Sequence, residues 1–410
     1  MEISRRKLLG TVTTAAATTA LPMSRARAQA KPVFKLGVLN DQSGPYRDTG
    51  GITSVICTKQ AVEEFSSLMQ GYTVEVVTAD HQNKPDVGAS IARQWFDRDG
   101  VDAILDVPNS GVALAVSAVA KEKNKVHLNT GAATSDLTGV QCNENFISWN
   151  YDTWMLAQST GGATVKAGGD TWFFITADYA FGHKLEGDTT ALIKSAKGSV
   201  KGSASYPFPG TTDFSSFLLQ AQSSGAKVLG LANAGGDTIN SIKQAKEFGL
   251  TMDIAALLMF ISDVKALTLE VAQGLHLTES FYWDLNDGTR AFTNRVKSKT
   301  PDNWPNMSHA GCYSGSLHFM KAINKIGATA AKASGKAIVE AMKSLPTEDD
   351  AFGKGSIRQD GRSLFPSYLF QVKKPSESKG TWDYYKLVQT TPAEQAWRPL
   401  KDGGCPFIKA

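Results

Sequence analysis

The sequence predicts an α/β protein built on doubly wound parallel sheets. Apolar runs typical of buried strands alternate with amphipathic helical segments, and the repeat of roughly 25–30 residues is the length of a βα unit. The first unit has a strand at 33–39, turn-forming residues at 40–45, and a helix that follows Gly50 and Gly51. The chain has 410 residues, more than one hydrophobic core usually holds, so two domains are expected.

The same alternation continues along the chain in two series. Strands of the first series are expected at 73–80, 102–107 and 125–128, and those of the second at 171–176, 199–206, 227–232 and 253–259. A further strand is expected at 274–283, and two antiparallel strands at 368–372 and 382–388. Helices are expected between them, including 87–96, 112–123, 152–166, 212–222, 239–248, 289–299, 308–326 and 331–343.

The first 30 residues resemble an export leader. Arg5 and Arg6 precede Leu8 and Leu9, the stretch 11–21 is too short to span a membrane, and small residues suit cleavage after position 28 or 30. The arginine pair resembles the twin-arginine signal, and the leader lacks a lipid-anchoring cysteine, so a soluble periplasmic protein is expected. Without the leader, 38 basic and 38 acidic residues remain (43 − 5 and 39 − 1), a balance that does not favour nucleic acid or an anionic membrane as partner.

Four cysteines suggest one disulfide. Cys142 lies in a polar segment without periodicity, and Cys405 lies in a glycine- and proline-containing tail that needs a tether to stay ordered. Cys57 and Cys312 fall inside expected helices, where a buried free thiol is ordinary. We therefore expect a Cys142–Cys405 bond.

Polar loops follow four of the expected strands, at 40–44, 108–111, 129–134 and 233–238. In a doubly wound sheet such loops meet at one edge, where helix N-termini present N–H groups that suit a carboxylate. Aromatic residues near the chain crossings add an apolar wall, although any one of them could simply pack in the core. The candidate binding residues are Gln42, Ser43, Asn109, Ser110, Asn129, Thr130, Gly131, Ala132, Ala133, Tyr151, Trp154, Tyr179, Phe181, Asn233, Asp237 and Tyr282.

Three linkers, at 148–152, 280–286 and 353–361, indicate that the chain crosses between two lobes three times. The first lobe is expected to comprise 31–150 and 284–358, and the second 151–283 and 359–395. Residues 396–410 are expected to form a C-terminal tail.

In order and spacing, four motifs resemble periplasmic solute-binding proteins of the branched-chain amino-acid transporter family. They are the segments at 37–44, 129–133, 179–182 and 233–237. The resemblance covers essentially the whole chain after the leader. It implies two Rossmann-like lobes that close over a ligand by hinge bending and deliver it to an inner-membrane ABC permease.

The resemblance also implies roles for single residues. Ser110 and the backbone of 131–133 would hold a ligand carboxylate, and Tyr179 would close from the second lobe. Asp237 stands where amino-acid-binding relatives place an acid for the ligand ammonium, but it could instead cap its own helix. The chain departs from those relatives at Ala133 and at the Pro108–Asn109 pair, so amino acids and other organic carboxylates both remain candidate ligands.

The expected function is therefore capture of a small carboxylate (an aromatic or branched aliphatic acid, or an amino acid) by the binding component of an ABC importer. A periplasmic ligand sensor of the same fold, acting on a regulatory partner, is the alternative. The sequence has no Gly-x-Ser-x-Gly elbow and no His-Glu-x-x-His pair, so we expect no enzyme, no metal and no cofactor. A monomer is expected.

Overall fold

Two parallel sheets organise the chain, and a computed structural model describes them over residues 31–408. The first sheet contains β1 (Val33–Asn40), β2 (Thr73–Asp80), β3 (Ala103–Asp106), β4 (Val126–Asn129) and β5 (Phe146–Ser148), in the order β2-β1-β3-β4-β5. The central strands β3 and β4 are buried at every position, as expected for a parallel sheet covered on both faces. The helices between these strands are α1 (Gly51–Phe65), α2 (Pro85–Gln94) and α3 (Ser110–Glu122).

The second lobe repeats this arrangement around a four-stranded parallel sheet of order β7-β6-β8-β9. In chain order, its elements are α4 (Thr153–Leu156), α5 (Gly162–Lys166), β6 (Thr171–Ala177), α6 (Ala180–Ser195), β7 (Ser199–Tyr206), α7 (Ser215–Ser223), β8 (Val228–Ala232), α8 (Gly236–Glu247), β9 (Asp253–Ala256), α9 (Ile261–Leu267) and α10 (Leu269–Ala272). A π-helical segment, Ala157–Gly161, joins α4 to α5.

The rest of the chain contributes to both lobes. The strand β10 (His276–Glu279) is followed by α11 (Asp287–Val296), α12 (Met307–Ile326), α13 (Ala328–Ala333) and α14 (Gly335–Lys343). The strands β11 (Thr347–Asp349), β12 (Gly353–Ile357) and β13 (Ser363–Leu364) form a small antiparallel sheet. A second antiparallel sheet pairs β10 with β14 (Ser367–Val372) and β14 with β15 (Tyr385–Thr391), before the short helix α15 (Ala393–Ala396).

The long helix α12 closes the core of the first lobe. Asn306 caps it by accepting hydrogen bonds from the N–H groups of Ser308 and His309. Its inner face meets the first strands: the Tyr72 hydroxyl donates to the Met320 carbonyl over 3.0 Å, and the rings of Phe34 and Phe319 lie 6.5 Å apart. The first lobe therefore depends on residues far along the chain.

The predicted fold class is confirmed, with local differences. β5 was not predicted because it has only three residues beside a polar segment. The predicted strand at 274–283 is shortened to β10, and the predicted helix at 331–343 breaks at Ser334, which caps α14. Ile52, an apolar residue in the first turn of α1, is 66% exposed, and β12 occupies part of the linker expected at 353–361.

A buried arginine lies where two of the crossings run side by side. Ser148 and Arg362 form a parallel bridge, and the Arg362 guanidinium donates to the Ser148 hydroxyl over 2.6 Å and lies 3.3 Å from the Asp152 carboxylate. The face of the guanidinium covers the Trp397 ring at 4.5 Å. These contacts hold the first and third crossings together.

The C-terminal segment is attached to the first lobe by a disulfide between Cys142 and Cys405. This is the pair expected from the sequence, and Cys57 and Cys312 are buried free thiols, as expected. The predicted leader lies outside the described residues. Within 31–408, no helix combines the length and hydropathy needed to cross a bilayer.

Candidate ligand-binding cleft

Loops from both lobes meet in an inner chamber whose wall is largely aromatic and apolar. Its lining residues are Tyr46, Thr49, Pro108, Gly131, Ala133, Tyr151, Tyr179, Phe181, Ala234, Leu258 and Phe260. The first five belong to loops after β1, β3 and β4, Tyr151 lies in the first crossing, and the others belong to the second lobe. No lining side chain is charged, so any charge on a bound molecule has to be met by dipoles and hydrogen bonds.

Backbone N–H groups supply those dipoles. Three helices of more than ten residues, α3, α6 and α8, begin beside the cleft, and the N-terminal end of a helix favours an anion. The N–H of Ala133 makes no hydrogen bond to another described residue, whereas its neighbours Ala132 and Thr134 donate to Asn129 and Ser110. Ala133 lines the chamber, and its N–H is unpaired among the described residues.

Aromatic contacts join the two lobes across the chamber. The hydroxyl groups of Tyr46 and Tyr179 are hydrogen bonded to each other. The Phe208 ring stacks on both, with centroid distances of 5.3 Å to Tyr46 and 4.5 Å to Tyr179. Burial raises the pKa of both tyrosines well above the ordinary value, so both hydroxyls stay protonated.

The chamber is narrow in this closed arrangement. Its open space is about 10 Å³, which is no more than a single water molecule needs. A larger molecule enters only if the lobes part or if Tyr46 and Tyr179 separate. The chamber is therefore a narrow cleft whose two walls, one from each lobe, are in contact.

A larger vestibule of about 460 Å³ lies outside the chamber. Its charged lining residues are Arg47, Asp48, Asp237 and Asp263. Asp237 lies in the first turn of α8 and accepts a hydrogen bond from the Tyr206 hydroxyl over 2.7 Å, and it makes no capping bond. The capping alternative considered for Asp237 is therefore wrong. Burial raises the pKa of Asp237 to about 6, and the Tyr206 hydrogen bond opposes this rise.

The structure brings together five of the predicted site residues in the chamber: Gly131, Ala133, Tyr151, Tyr179 and Phe181. Tyr151 is held by a hydrogen bond from its hydroxyl to the Gly131 carbonyl. Asp237 lies in the adjoining vestibule.

Six other predicted residues line neither cavity and take part in hydrogen bonds that hold the loops: Asn109, Ser110, Asn129, Thr130, Ala132 and Asn233. The Asn109 side chain caps α3, the Ser110 hydroxyl accepts from the Thr134 N–H, and the Thr130 hydroxyl contacts the Cys312 thiol. Asn129 binds both the N–H and the carbonyl of Ala132, which closes that loop on itself. Asn233 accepts from the Thr238 hydroxyl. The polar atoms of these residues make hydrogen bonds to other protein groups, and the residues line neither cavity.

Four more predicted residues also lie outside both cavities. Gln42 and Ser43 point away because the Asp41 carboxylate accepts the N–H groups of Ser43, Gly44 and Tyr46, which folds the loop into a tight turn. Gln42 and Ser43 instead bond to Thr78 and Asp80 of β2. Trp154 lines a separate groove, and Tyr282 packs in the core of the second lobe with its hydroxyl on the Trp382 carbonyl.

Sequence reasoning missed several residues of the site. Tyr46 and Thr49 lie in the loop between β1 and α1. The sequence marks this loop as polar, but it does not show which of the loop's side chains turn towards the chamber. Phe208 lies after β7, in a loop that carried no predicted role. Asp106 is fully buried beneath the chamber and accepts from Asn40, and burial raises its pKa to about 6.

Two lobes, three crossings and a cleft lined by strand-end loops define a two-lobed solute-binding protein. The chain belongs to the periplasmic binding protein family, whose family model matches residues 33–381.

Solved structures agree with this assignment. A periplasmic binding protein from Burkholderia mallei is 46% identical, with 93% of this chain and 100% of that chain covered and a TM-score of 0.88. A branched-chain amino-acid ABC transporter periplasmic ligand-binding protein from Burkholderia xenovorans is 38% identical, with 91% and 99% covered and a TM-score of 0.79.

A more distant structure shares the fold alone. It is an ABC transporter solute-binding protein from R. palustris in complex with benzoate, 19% identical, with 88% and 97% covered and a TM-score of 0.78. No curated protein sequence matches this chain significantly.

Proposed function

We propose that this protein is the periplasmic substrate-binding component of an ABC importer and that it captures a small carboxylate in the inner chamber. The observation that carries the proposal is the N–H of Ala133, which is unpaired among the described residues and belongs to a residue that lines a chamber without a charged lining side chain. A carboxylate suits that N–H and the neighbouring helix N-termini, and it needs no fixed cation there.

The rest of the chamber suits an apolar ligand body. Tyr151, Tyr179, Phe181 and Phe260 offer ring faces and edges, which supports an aromatic or branched aliphatic acid. The distant R. palustris protein was solved in complex with benzoate, which is a finding about that protein alone. For this chain it is a reason to include benzoates among the acids tested. An amino acid would additionally place its ammonium towards Asp237.

Hinge closure provides the capture step. The Tyr46–Tyr179 contact and the Phe208 stack join the lobes, and the ligand replaces part of this contact when it enters. The Ser148–Arg362 bridge keeps two crossings together while the lobes move. We infer that the protein acts as a monomer and hands its ligand to an inner-membrane permease.

A thermal-shift panel of free acids tests the ligand class. Stabilisation grows as RT ln(1 + [L]/Kd), so an acid at about 100 times Kd adds roughly 2.7 kcal/mol. We expect aromatic, branched aliphatic or amino acids to stabilise the protein and their methyl esters to have no effect. Stabilisation by sugars or cations alone would contradict the proposal.

Uptake of the identified acid tests the importer role. Cells that lack this protein should lose high-affinity uptake and regain it when the gene is returned. A ligand sensor would instead leave uptake intact and abolish a response to the acid.

A further inference from the structure

Thr49 occupies a special place in the cleft because it lines both the inner chamber and the vestibule. It lies in the loop between β1 and α1 and is 3% exposed. A side chain at this junction faces a molecule in the chamber and any substituent that extends from the chamber outward.

The backbone of Thr49 is firmly held. Its N–H donates to the Tyr46 carbonyl over 3.1 Å, and its carbonyl accepts from the Asn306 side chain over 3.1 Å. The preceding carbonyl, of Asp48, accepts from the Asn303 side chain over 2.8 Å. The position of Thr49 is therefore set by the segment before α12, independently of its own hydroxyl.

The Thr49 hydroxyl, by contrast, has no hydrogen-bond partner among the described residues, although the oxygen is buried. Buried polar groups are normally paired, so each unpaired group needs an explanation. The other side-chain hydroxyls that line the chamber are used: those of Tyr46 and Tyr179 bond to each other, and that of Tyr151 donates to Gly131. Among the described residues, Thr49 is thus the one lining hydroxyl that makes no hydrogen bond at all.

We propose that Thr49 is a specificity-determining residue whose hydroxyl binds a second polar group of the ligand, such as a hydroxyl or an amino group. This inference rests on the proposed function and narrows it to carboxylic acids that carry such a group. A threonine hydroxyl both donates and accepts, so it fits either substituent. A hydrocarbon acid of the same shape leaves the buried oxygen unpaired, and a site built around a hydrogen bond discriminates against such an analogue.

The test compares matched pairs of ligands by calorimetry: benzoate with its 3- and 4-hydroxy and 4-amino derivatives, and 4-methylpentanoate with leucine. Wild-type protein should prefer a substituted member of a pair. Thr49→Val keeps the branched shape and removes the hydroxyl, so the preference should shrink by about tenfold, as expected for one hydrogen bond. Thr49→Ser should retain the preference.

Thr58→Val is the matched control. Thr58 is a buried threonine of α1 whose hydroxyl donates to the Ser54 carbonyl, and it lines neither cavity. This variant should leave the ligand preference unchanged. If Thr49→Val weakens both members of a pair equally, or if wild-type protein binds them equally, the inference is wrong while the proposed function stands. If no acid binds to wild-type protein, the proposed function fails and this inference fails with it.

Discussion

The backbone N–H of Gly236 donates to the carbonyl of Pro45 over 3.2 Å, and this bond links the start of α8 to the first loop of the other lobe. The approach is close because Gly235 precedes it: a Cβ atom built on Gly235 would lie 2.5 Å from the same carbonyl oxygen. Gly235 also has a φ of +57°, a conformation that side chains disfavour. The close contact between the two lobes at Pro45 therefore requires glycine at position 235.

We predict that Gly235→Ala disfavours closure and weakens ligand binding by about tenfold or more, because the new methyl group collides with Pro45. X-ray scattering with saturating ligand should then show less compaction than for wild-type protein. Gly249→Ala is the control, since Gly249 follows the same helix with a φ of +64° but has open space around its Cβ position. Equal loss of affinity in both variants would show that backbone strain, and not the Pro45 contact, is responsible.

Asp237 provides a second prediction, which concerns ligand charge. For a carboxylate without an ammonium group, Asp237→Asn should leave the affinity at pH 7.5 unchanged or improve it, because a buried negative charge near the anion is removed. The pKa of Asp237 is about 6, so affinity of wild-type protein should rise as pH falls through 6 and Asp237 takes up a proton. The variant should lose this pH dependence.

An amino-acid ligand would reverse the result. Removal of the carboxylate charge would then cost roughly 1.5–3 kcal/mol of binding free energy. Calorimetry of both proteins from pH 5 to pH 8 separates the two cases. Tyr206→Phe, which removes only the hydrogen-bond donor to Asp237, serves as the matched variant.

Glu279, at the second crossing, gives a prediction about folding stability. Burial raises the pKa of Glu279 from 4.5 to about 8, so the folded protein holds a proton that the unfolded chain releases. The free energy of unfolding should therefore fall as pH rises between these values. Below about pH 6.5 this fall is opposed by buried neutral histidines, such as His127 and His309, whose folded pKa values are lowered to about 3.

Above pH 6.5 the effect of Glu279 should be visible. Denaturant titrations between pH 6.5 and 8.5 should show a loss of about 2 kcal/mol from this residue. Glu279→Gln should flatten the profile, because the glutamine side chain does not titrate and its amide oxygen can still accept one of the two hydrogen bonds that Glu279 accepts, from the Met307 N–H and the Tyr385 hydroxyl. Glu340→Gln, at an exposed position of α14, should leave the slope unchanged.

The disulfide between Cys142 and Cys405 should stabilise the folded protein by restricting the unfolded chain. It joins residues 263 positions apart, and the chain-entropy argument gives about 5.6 kcal/mol as an upper figure for a loop of that size. A Cys142→Ala/Cys405→Ala variant should lose about 2–5 kcal/mol. Reductant should destabilise wild-type protein to the same level and leave the variant unaffected. Peptide mapping that finds a Cys57–Cys312 link would contradict the assignment.

Much of the fold was predictable because parallel strands buried on both faces give continuous apolar runs. β2 and β7 match their predicted bounds, and the antiparallel pair β14 and β15 was expected. Short elements were harder to predict. β5 has only three residues, and its pairing with β4, rather than a pattern in its own sequence, makes it a strand. Such strands are specified by their neighbours rather than by their own residues.

The site was predictable only in part, for a different reason. Strand-end loops were found by composition, and Gly131 and Ala133 of one such loop line the chamber. Composition does not show which way a loop turns, and the three N–H bonds to Asp41 direct Tyr46 inward and Gln42 outward. Contacts across the cleft, such as Tyr46 with Phe208, join residues distant in sequence and leave no local signal.

The position of α12 has a consequence for biosynthesis. The strands β1–β5 leave the ribosome first, but the apolar face beside α1 stays uncovered until α12 follows, after every strand of the second parallel sheet has been made. The contacts of Phe34 with Phe319 and of Tyr72 with Met320 can form only after α12 has been made. The first lobe is therefore begun before the second lobe, but its core is covered only after every strand of the second parallel sheet has been made.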